Sequence, residues 1–189
     1  MNNKGLLKVF NELEIVAQES NVKIVIMGGL AVSIYAQPRA TMDIDGIIEL
    51  DERDIDIFLT ATARRGFRRD KENPIRKIKG LSFITLFYPA GKVYVDLFLA
   101  GSDFQKNVIK RAHRVKVEDV HLEVISPEDL ILVKLLSARP RDTEDVRQIL
   151  LESSEDLDFK YLEEWGRSLG VLQFLRDEVR SIKRGGDYL

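Results

Sequence analysis

Cysteine is absent from this 189-residue sequence, so disulfides and thiolate metal sites are excluded. The two histidines, His113 and His121, share no ligand spacing, and neither is given a role. No apolar run approaches the roughly 20 residues that span a bilayer. The opening segment, MNNKGLLKVFNELE, has too short an apolar core and carries acids too early for a secretory signal. A cytoplasmic location without a membrane partner is therefore expected. Neither sign of charge dominates. Lys and Arg number 29 against 31 Asp and Glu, a net charge of -2, which excludes a polyanion binder acting through its global field. Internal repeats and low-complexity segments are also missing.

What is present is a globular composition, 44% hydrophobic and 32% charged. The length suffices for one sizeable domain, or a domain with a small helical appendage. Charge is unevenly spread. Arg64, Arg65, Arg68, Arg69, Lys71, Arg76, Lys77 and Lys79 crowd one span, with Asp70 and Glu72 as its only acids. Such a run is either a solvated face or a sequence-blind contact to the phosphate backbone of RNA.

The chain is organised around Ile24 to Ile48, IVIMGGLAVSIYAQPRATMDIDGII. A short β-branched strand leads to Gly28-Gly29 and a short helix, which Pro38 prevents from continuing. Consecutive glycines after a strand let backbone N–H groups approach phosphate oxygens, and the helix they open adds its positive dipole end. A second strand carries Asp43 and Asp45. Residues i and i+2 of a strand share a face, about 7 Å apart at Cα. Two carboxylates so placed suit Mg²⁺, a hard cation that prefers oxygen ligands; the alternative is a solvated strand end or a turn, which Asp-Gly favours. Arg39 would clamp a triphosphate or pair with an acid, and Thr41 offers a hydroxyl. Asp96 sits in the apolar strand Val93 to Leu99. A charge there needs a metal, a basic partner or water, unless the strand is an edge facing solvent. Lys134 is surrounded in sequence by Leu130, Ile131, Leu132, Val133, Leu135 and Leu136 and needs an anion: a triphosphate, Asp142 or Asp145.

These residues, in this order, resemble the active-site motif of the nucleotidyltransferase superfamily. Arg39-Ala40-Thr41-Met42-Asp43-Ile44-Asp45 is similar to the Arg-x-Thr-x-Asp-x-Asp run of a minimal branch that includes the AbiEii-type abortive-infection toxins. Lys134 with Arg141-Asp142-x-x-Asp145 resembles that branch's downstream motif. Gly46 departs from the pattern, since a larger apolar residue commonly follows the second Asp; glycine there marks a bulge or a close backbone approach.

The resemblance covers roughly Ile24 to Leu150. It implies an α/β nucleotidyltransferase fold, a small mixed twisted sheet flanked by helices with a helical C-terminal part. It implies a Mg²⁺-dependent enzyme that moves a nucleoside monophosphate from an NTP to an acceptor hydroxyl. Asp43, Asp45 and Asp96 would hold two Mg²⁺ ions, and Asp96 would activate the attacking hydroxyl. Gly28, Gly29, Arg39, Thr41 and Lys134 would bind the nucleotide phosphates. Lys134 and Asp145 are the further catalytic candidates, Asp145 orienting Lys134 or Arg139 or touching the acceptor. A toxin-like setting implies an RNA acceptor such as tRNA, and an antitoxin partner. The alternatives are a non-catalytic nucleotide-binding protein of the same fold, a small-molecule or protein nucleotidyltransferase, and a carboxylate-metal nuclease.

Local pattern predicts the remaining elements. Helices are expected over about 3–19, 30–36, 51–65 (Asp51 as N-cap), 103–112, 126–137, 142–151, 157–169 and 171–182. Strands are expected over 23–27, 42–50, 81–88, 92–100, 114–117 and 120–125, with an exposed loop over 67–79 and a frayed tail from Gly185. A nucleotidyltransferase domain is expected over 1–150, with a helical extension over 151–189 packed on it.

Overall fold

The computed structural model describes residues 3–38, 41, 43–69, 74–78 and 80–185. The chain divides into two compact units, Met1–Leu30 with Ala40–Ile125, and Ala31–Arg39 with Ser126–Leu189.

The first unit is built on α1 (Asn3–Ser20), β1 (Ile24–Met27), the start of α2 (Gly28–Tyr35), β2 (Asp43–Ile48), α3 (Ile55–Arg64), β3 (Arg68–Arg69), β4 (Ile75–Ile78), β5 (Leu81–Tyr88), β6 (Val93–Leu99), α4 (Asp103–Arg111), β7 (His113–Val117) and β8 (Val120–Val124). The strands form one mixed sheet in the order β3-β5-β6-β2-β1-β8-β7, with β4 also paired to β5. β1–β2, β5–β6 and β7–β8 are antiparallel, while β2–β6 and β1–β8 run parallel.

The two sheet faces differ because side chains alternate along each strand. On one face Ile24, Ile26, Ile44, Ile48, Ile84, Leu86, Val93, Val95, Leu97, Leu122 and Val124 are all buried. Helix α1 supplies Val9, Phe10, Leu13 and Val16 to the core, and α3 supplies Phe58, Leu59 and Ala61. A Cβ on Gly91 would stand 3.3 Å from both Val9 and Val93, which locates α1 over this face. The other face carries Asp43, Asp45, Asp96, Thr85, Phe87 and Tyr94.

Three local expectations are corrected. The segment 67–79 is not simply an exposed loop. Phe67 is buried against Tyr88, ring centroids 4.9 Å apart, and β3 and β4 both add to the edge of β5. Edge pairing is a tertiary effect that local propensity misses, and basic side chains are common on such edges. Helix α3 starts at Ile55 after a single 3₁₀ turn, Glu52–Asp54, and Asp51 does not cap it. The Asp51 carboxylate is taken by Arg53, 3.2 Å away. Pro140 does not delay the next helix; it opens it, its fixed φ suiting the first helical position.

The second unit contains the rest of α2 and four helices, α5 (Pro127–Ser137), α6 (Pro140–Ser153), α7 (Phe159–Ser168) and α8 (Leu172–Gly185). Ser126 caps α5 by accepting from the Asp129 N–H, as its Ser-Pro-Glu-Asp start predicts. α5 packs on α6 and α7, and α8 packs on α6 and α7. Arg147 on α6 clasps Glu178 on α8 at 2.5 Å. The residues after Gly185, where a frayed tail is expected, lie outside the described residues. No described helix is long and apolar enough to cross a membrane.

Candidate active site

The glycine pair and the acid strand come together as neighbours. β1 and β2 are antiparallel, with Met27 opposite Asp45, so the chain leaves β1 beside that carboxylate. Gly28 follows with φ +65°, a conformation glycine adopts without a steric penalty. A Cβ on Gly28 would lie 2.1 Å from Asp45 Oδ2. The glycine therefore has two independent reasons to be glycine, and the second is the acid itself. Helix α2 opens at Gly28 directly off the strand, earlier than the pattern predicts.

Asp96 joins this pair through the parallel β2–β6 register, in which Asp45 stands opposite Asp96 and Asp43 opposite Tyr94. Adjacent strands are about 4.8 Å apart, so the three acids occupy one patch of one face. Asp43 is exposed; Asp45 and Asp96 are half-buried. Across the next strand, Thr85 Oγ1 donates to Asp96 Oδ1 at 2.6 Å. Among the described residues, no group of three or more acidic or histidine side chains stands already gathered as a metal cage. The donor chemistry nonetheless fits a hard divalent cation: three carboxylates on one face, with Gly28 making room for that of Asp45, which occupies the place a Cβ there would take.

Thr41 Oγ1 donates locally, to the Asp43 carbonyl at 3.2 Å. Arg39 and Met42 lie outside the described residues. Gly46 is buried on the opposite face, where a Cβ would meet Leu97 Cδ2 at 2.9 Å and the Val25 carbonyl at 3.3 Å. The departure from the acid motif is thus a close approach inside the core, not a bulge in the site.

In the helical unit, Lys134 Nζ donates to Asp142 Oδ1 and to Asp145 Oδ2, both at 2.7 Å. All three are buried, with 8%, 7% and 5% exposure. Burial pushes the Asp142 carboxyl up, but hydrogen bonding and charge from Lys134, with the charge of Arg139, outweigh it and hold it below its ordinary range. Sequence reasoning missed a second buried cluster there. Ser126 Oγ donates to Asp129 Oδ2 at 3.0 Å, Tyr161 donates to Asp129 Oδ1 at 2.5 Å, and Glu128 accepts from the Asp158 N–H at 3.1 Å. The Tyr35 hydroxyl, half-buried and near the Glu128 charge, is pushed up to about 12. Thr85 was also missed; its only signal was a hydroxyl among the apolar residues of LSFITLFY. A cleft of about 370 Å³ lined by residues of α1, β1 and β8 contains none of the three acids.

The mixed sheet, the glycine turn into α2 and the acids of β2 and β6 define a nucleotidyltransferase fold. Residues 4–168 match the family described as nucleotidyltransferase of unknown function (DUF6036), and the chain belongs to that family. It is accordingly a nucleotidyltransferase, for which an NTP is the implied substrate. The fold is similar to the solution structure of the antibiotic-resistance factor ANT(2'')-Ia, at TM-score 0.56 and 15% identity over 100% of both chains. It is similar to the crystal structure of ANT(2'')-Ia with adenylyl-2''-tobramycin, at TM-score 0.57 and 16% identity over 89% of this chain and 97% of that one. It is also similar to the lincosamide antibiotic adenylyltransferase LnuA with lincomycin bound, at TM-score 0.52 and 15% identity over 79% and 96%. No curated protein matches the chain.

Proposed function

We propose that the chain moves a nucleoside monophosphate from an NTP to a hydroxyl of an RNA end, with Asp43, Asp45 and Asp96 as the metal-holding set. The observation that supports this most is the Asp45–Asp96 register beside a Gly28 left bare where the Asp45 carboxylate leans over it. Two Mg²⁺ ions, when bound, would supply charge stabilisation at the phosphoryl oxygens and lower the pKa of the acceptor.

The chain's own residues do the rest. Asp96 accepts the proton of the acceptor hydroxyl, and the Thr85 hydrogen bond fixes the carboxylate in position to do so. The hydroxyl oxygen forms a bond to the α-phosphorus as the bond from that phosphorus to the bridging oxygen breaks; pyrophosphate leaves with the electron pair. The backbone of Gly28 and Gly29 and the side chains of Arg39 and Thr41 hold the triphosphate. Lys134 has three ammonium protons, of which Asp142 and Asp145 take two. By the resemblance, Lys134 is the residue that would contact the nucleotide phosphates, with Asp145 as its orienter. An antitoxin partner and the AbiEii-like setting belong to this same reading, carried by the Arg39 to Asp45 run.

The test is incubation with Mg²⁺, each α-labelled NTP in turn, and either total tRNA or small hydroxylated acceptors. Label in RNA is expected. RNA fragments would indicate a nuclease, label only in small molecules a different acceptor class, and NTP binding without turnover a binding protein.

A further inference from the structure

The sheet face that carries the acids also carries a row of side chains that no step above uses. Arg68 on β3 stands opposite Phe87 on β5, Phe87 opposite Tyr94 on β6, and Tyr94 opposite Asp43 on β2. Directly opposite residues share a face, so the four form one line across four strands. Strand spacing makes that line about 14 Å long. It runs from a cation at the sheet edge, over two aromatic rings, to the acid patch.

Three details separate this row from ordinary core packing. The ring centroids of Phe87 and Tyr94 lie 4.8 Å apart and tilted by 39°, a preformed aromatic pair. Tyr94 is nevertheless 44% exposed, whereas Val93 and Val95 on either side of it are fully buried on the opposite face. Arg68 is exposed. An arginine and an aromatic pair thus line the edge side of the face, and the acids line its middle. A single-stranded polynucleotide has the complementary order. Its bases stack on exposed aromatic rings whatever their identity, and its phosphates pair with arginine. A small acceptor reaching only the acids would have no use for a cation three strands away.

We infer that the Arg68–Phe87–Tyr94 row is the acceptor track of this enzyme, taking the single-stranded end of an RNA: a base stacks on Tyr94 and Phe87, a phosphate pairs with Arg68, and the terminal hydroxyl reaches the acid patch beside Asp43. The inference rests on the transfer reading of the same site. It concerns acceptor binding, which is measurable without turnover.

The test is fluorescence anisotropy with 5′-labelled oligo(U) and oligo(A), paired with an NTP titration on each variant. Tyr94→Leu should weaken RNA binding about tenfold or more, a loss in the range of one base–aromatic stack, and Tyr94→Phe should restore it. Arg68→Gln should weaken both oligomers alike and reduce the salt slope by about 1. Circular dichroism of each variant keeps a folding defect from counting as a binding loss. RNA affinities within twofold of the parent in folded Tyr94→Leu and Arg68→Gln would overturn the track. So would an equal loss of NTP affinity, or a changed sedimentation coefficient with RNA binding intact, which would make the row a contact between copies. If RNA binds as described and no NTP is transferred, the transfer reading fails and with it the acceptor role, leaving the row an RNA-binding surface only. If transfer to RNA proceeds unchanged in both variants, the track fails and the transfer reading stands.

Discussion

Asp45 on β2 stands opposite Asp96 on the neighbouring parallel strand β6, two carboxylates facing across one strand spacing. Like charges so placed destabilise a sheet by some tenths of a kcal/mol, up to about 1. A bound divalent cation would reverse the sign. The variant that tests this is Asp45→Asn, which removes one of the two charges. Mg²⁺ should raise the melting temperature of the parent and leave that of the variant unmoved. Thermal melts with and without Mg²⁺ check both halves.

Gly28→Ala combines a left-handed φ with a Cβ 2.1 Å from Asp45 Oδ2. The backbone strain is expected to destabilise the fold by about 1–2 kcal/mol. The displaced carboxylate should lower transfer by more than that loss explains. Urea denaturation and a transfer assay at a temperature where the variant is fully folded separate the two effects.

Thr85→Val keeps the shape of a buried strand residue and removes the hydroxyl that holds Asp96. Stability should change by about 1 kcal/mol or less. Turnover is expected to fall roughly tenfold with the NTP KM little changed, because a positioning contact acts on the step rather than on binding. Steady-state kinetics give the split.

The sheet and its central acids were legible because their signals are local. A β-branched run before two glycines, an Asp-x-Asp strand and a Pro/Gly-linked hairpin each carry their own pattern. Which acid faces which was not legible, since register is set by pairing across strands. The short edge strands β3 and β4 were invisible for the same reason: Arg68 and Arg69 are strand residues only because β5 offers them an edge. Gly46 read as a bulge or a close approach, and only the packing of Leu97 against it decides between the two. Lys134 needed an anion on sequence grounds. Helix geometry then brought Asp142 and Asp145 to it, three residues apart on α6 and so on one side of that helix.

The Lys134–Asp142–Asp145 cluster is buried, so breaking it is costly whatever its chemical role. Lys134→Met leaves two carboxylates facing without their cation and is expected to destabilise the protein by about 3–5 kcal/mol. Asp142 is held below its ordinary value of 3.8 in the folded state. A lowered carboxyl stabilises the fold in full above the unfolded value, and this contribution is lost as pH falls from there through the folded one. Denaturant melts between pH 7 and pH 2 should show the loss beginning near pH 4, with a shallower acid limb in Asp142→Asn.

The central claim is that Asp43, Asp45 and Asp96 form one metal-dependent transfer site. Its most direct test is transfer of α-labelled nucleotide by Asp43→Asn, Asp45→Asn and Asp96→Asn, each shown to be folded. The account predicts that label transfer falls at least a hundredfold in all three, about 2.7 kcal/mol of lost transition-state stabilisation or more, and that raising Mg²⁺ does not restore the parental rate. Transfer at the parental rate by any one of them would contradict it.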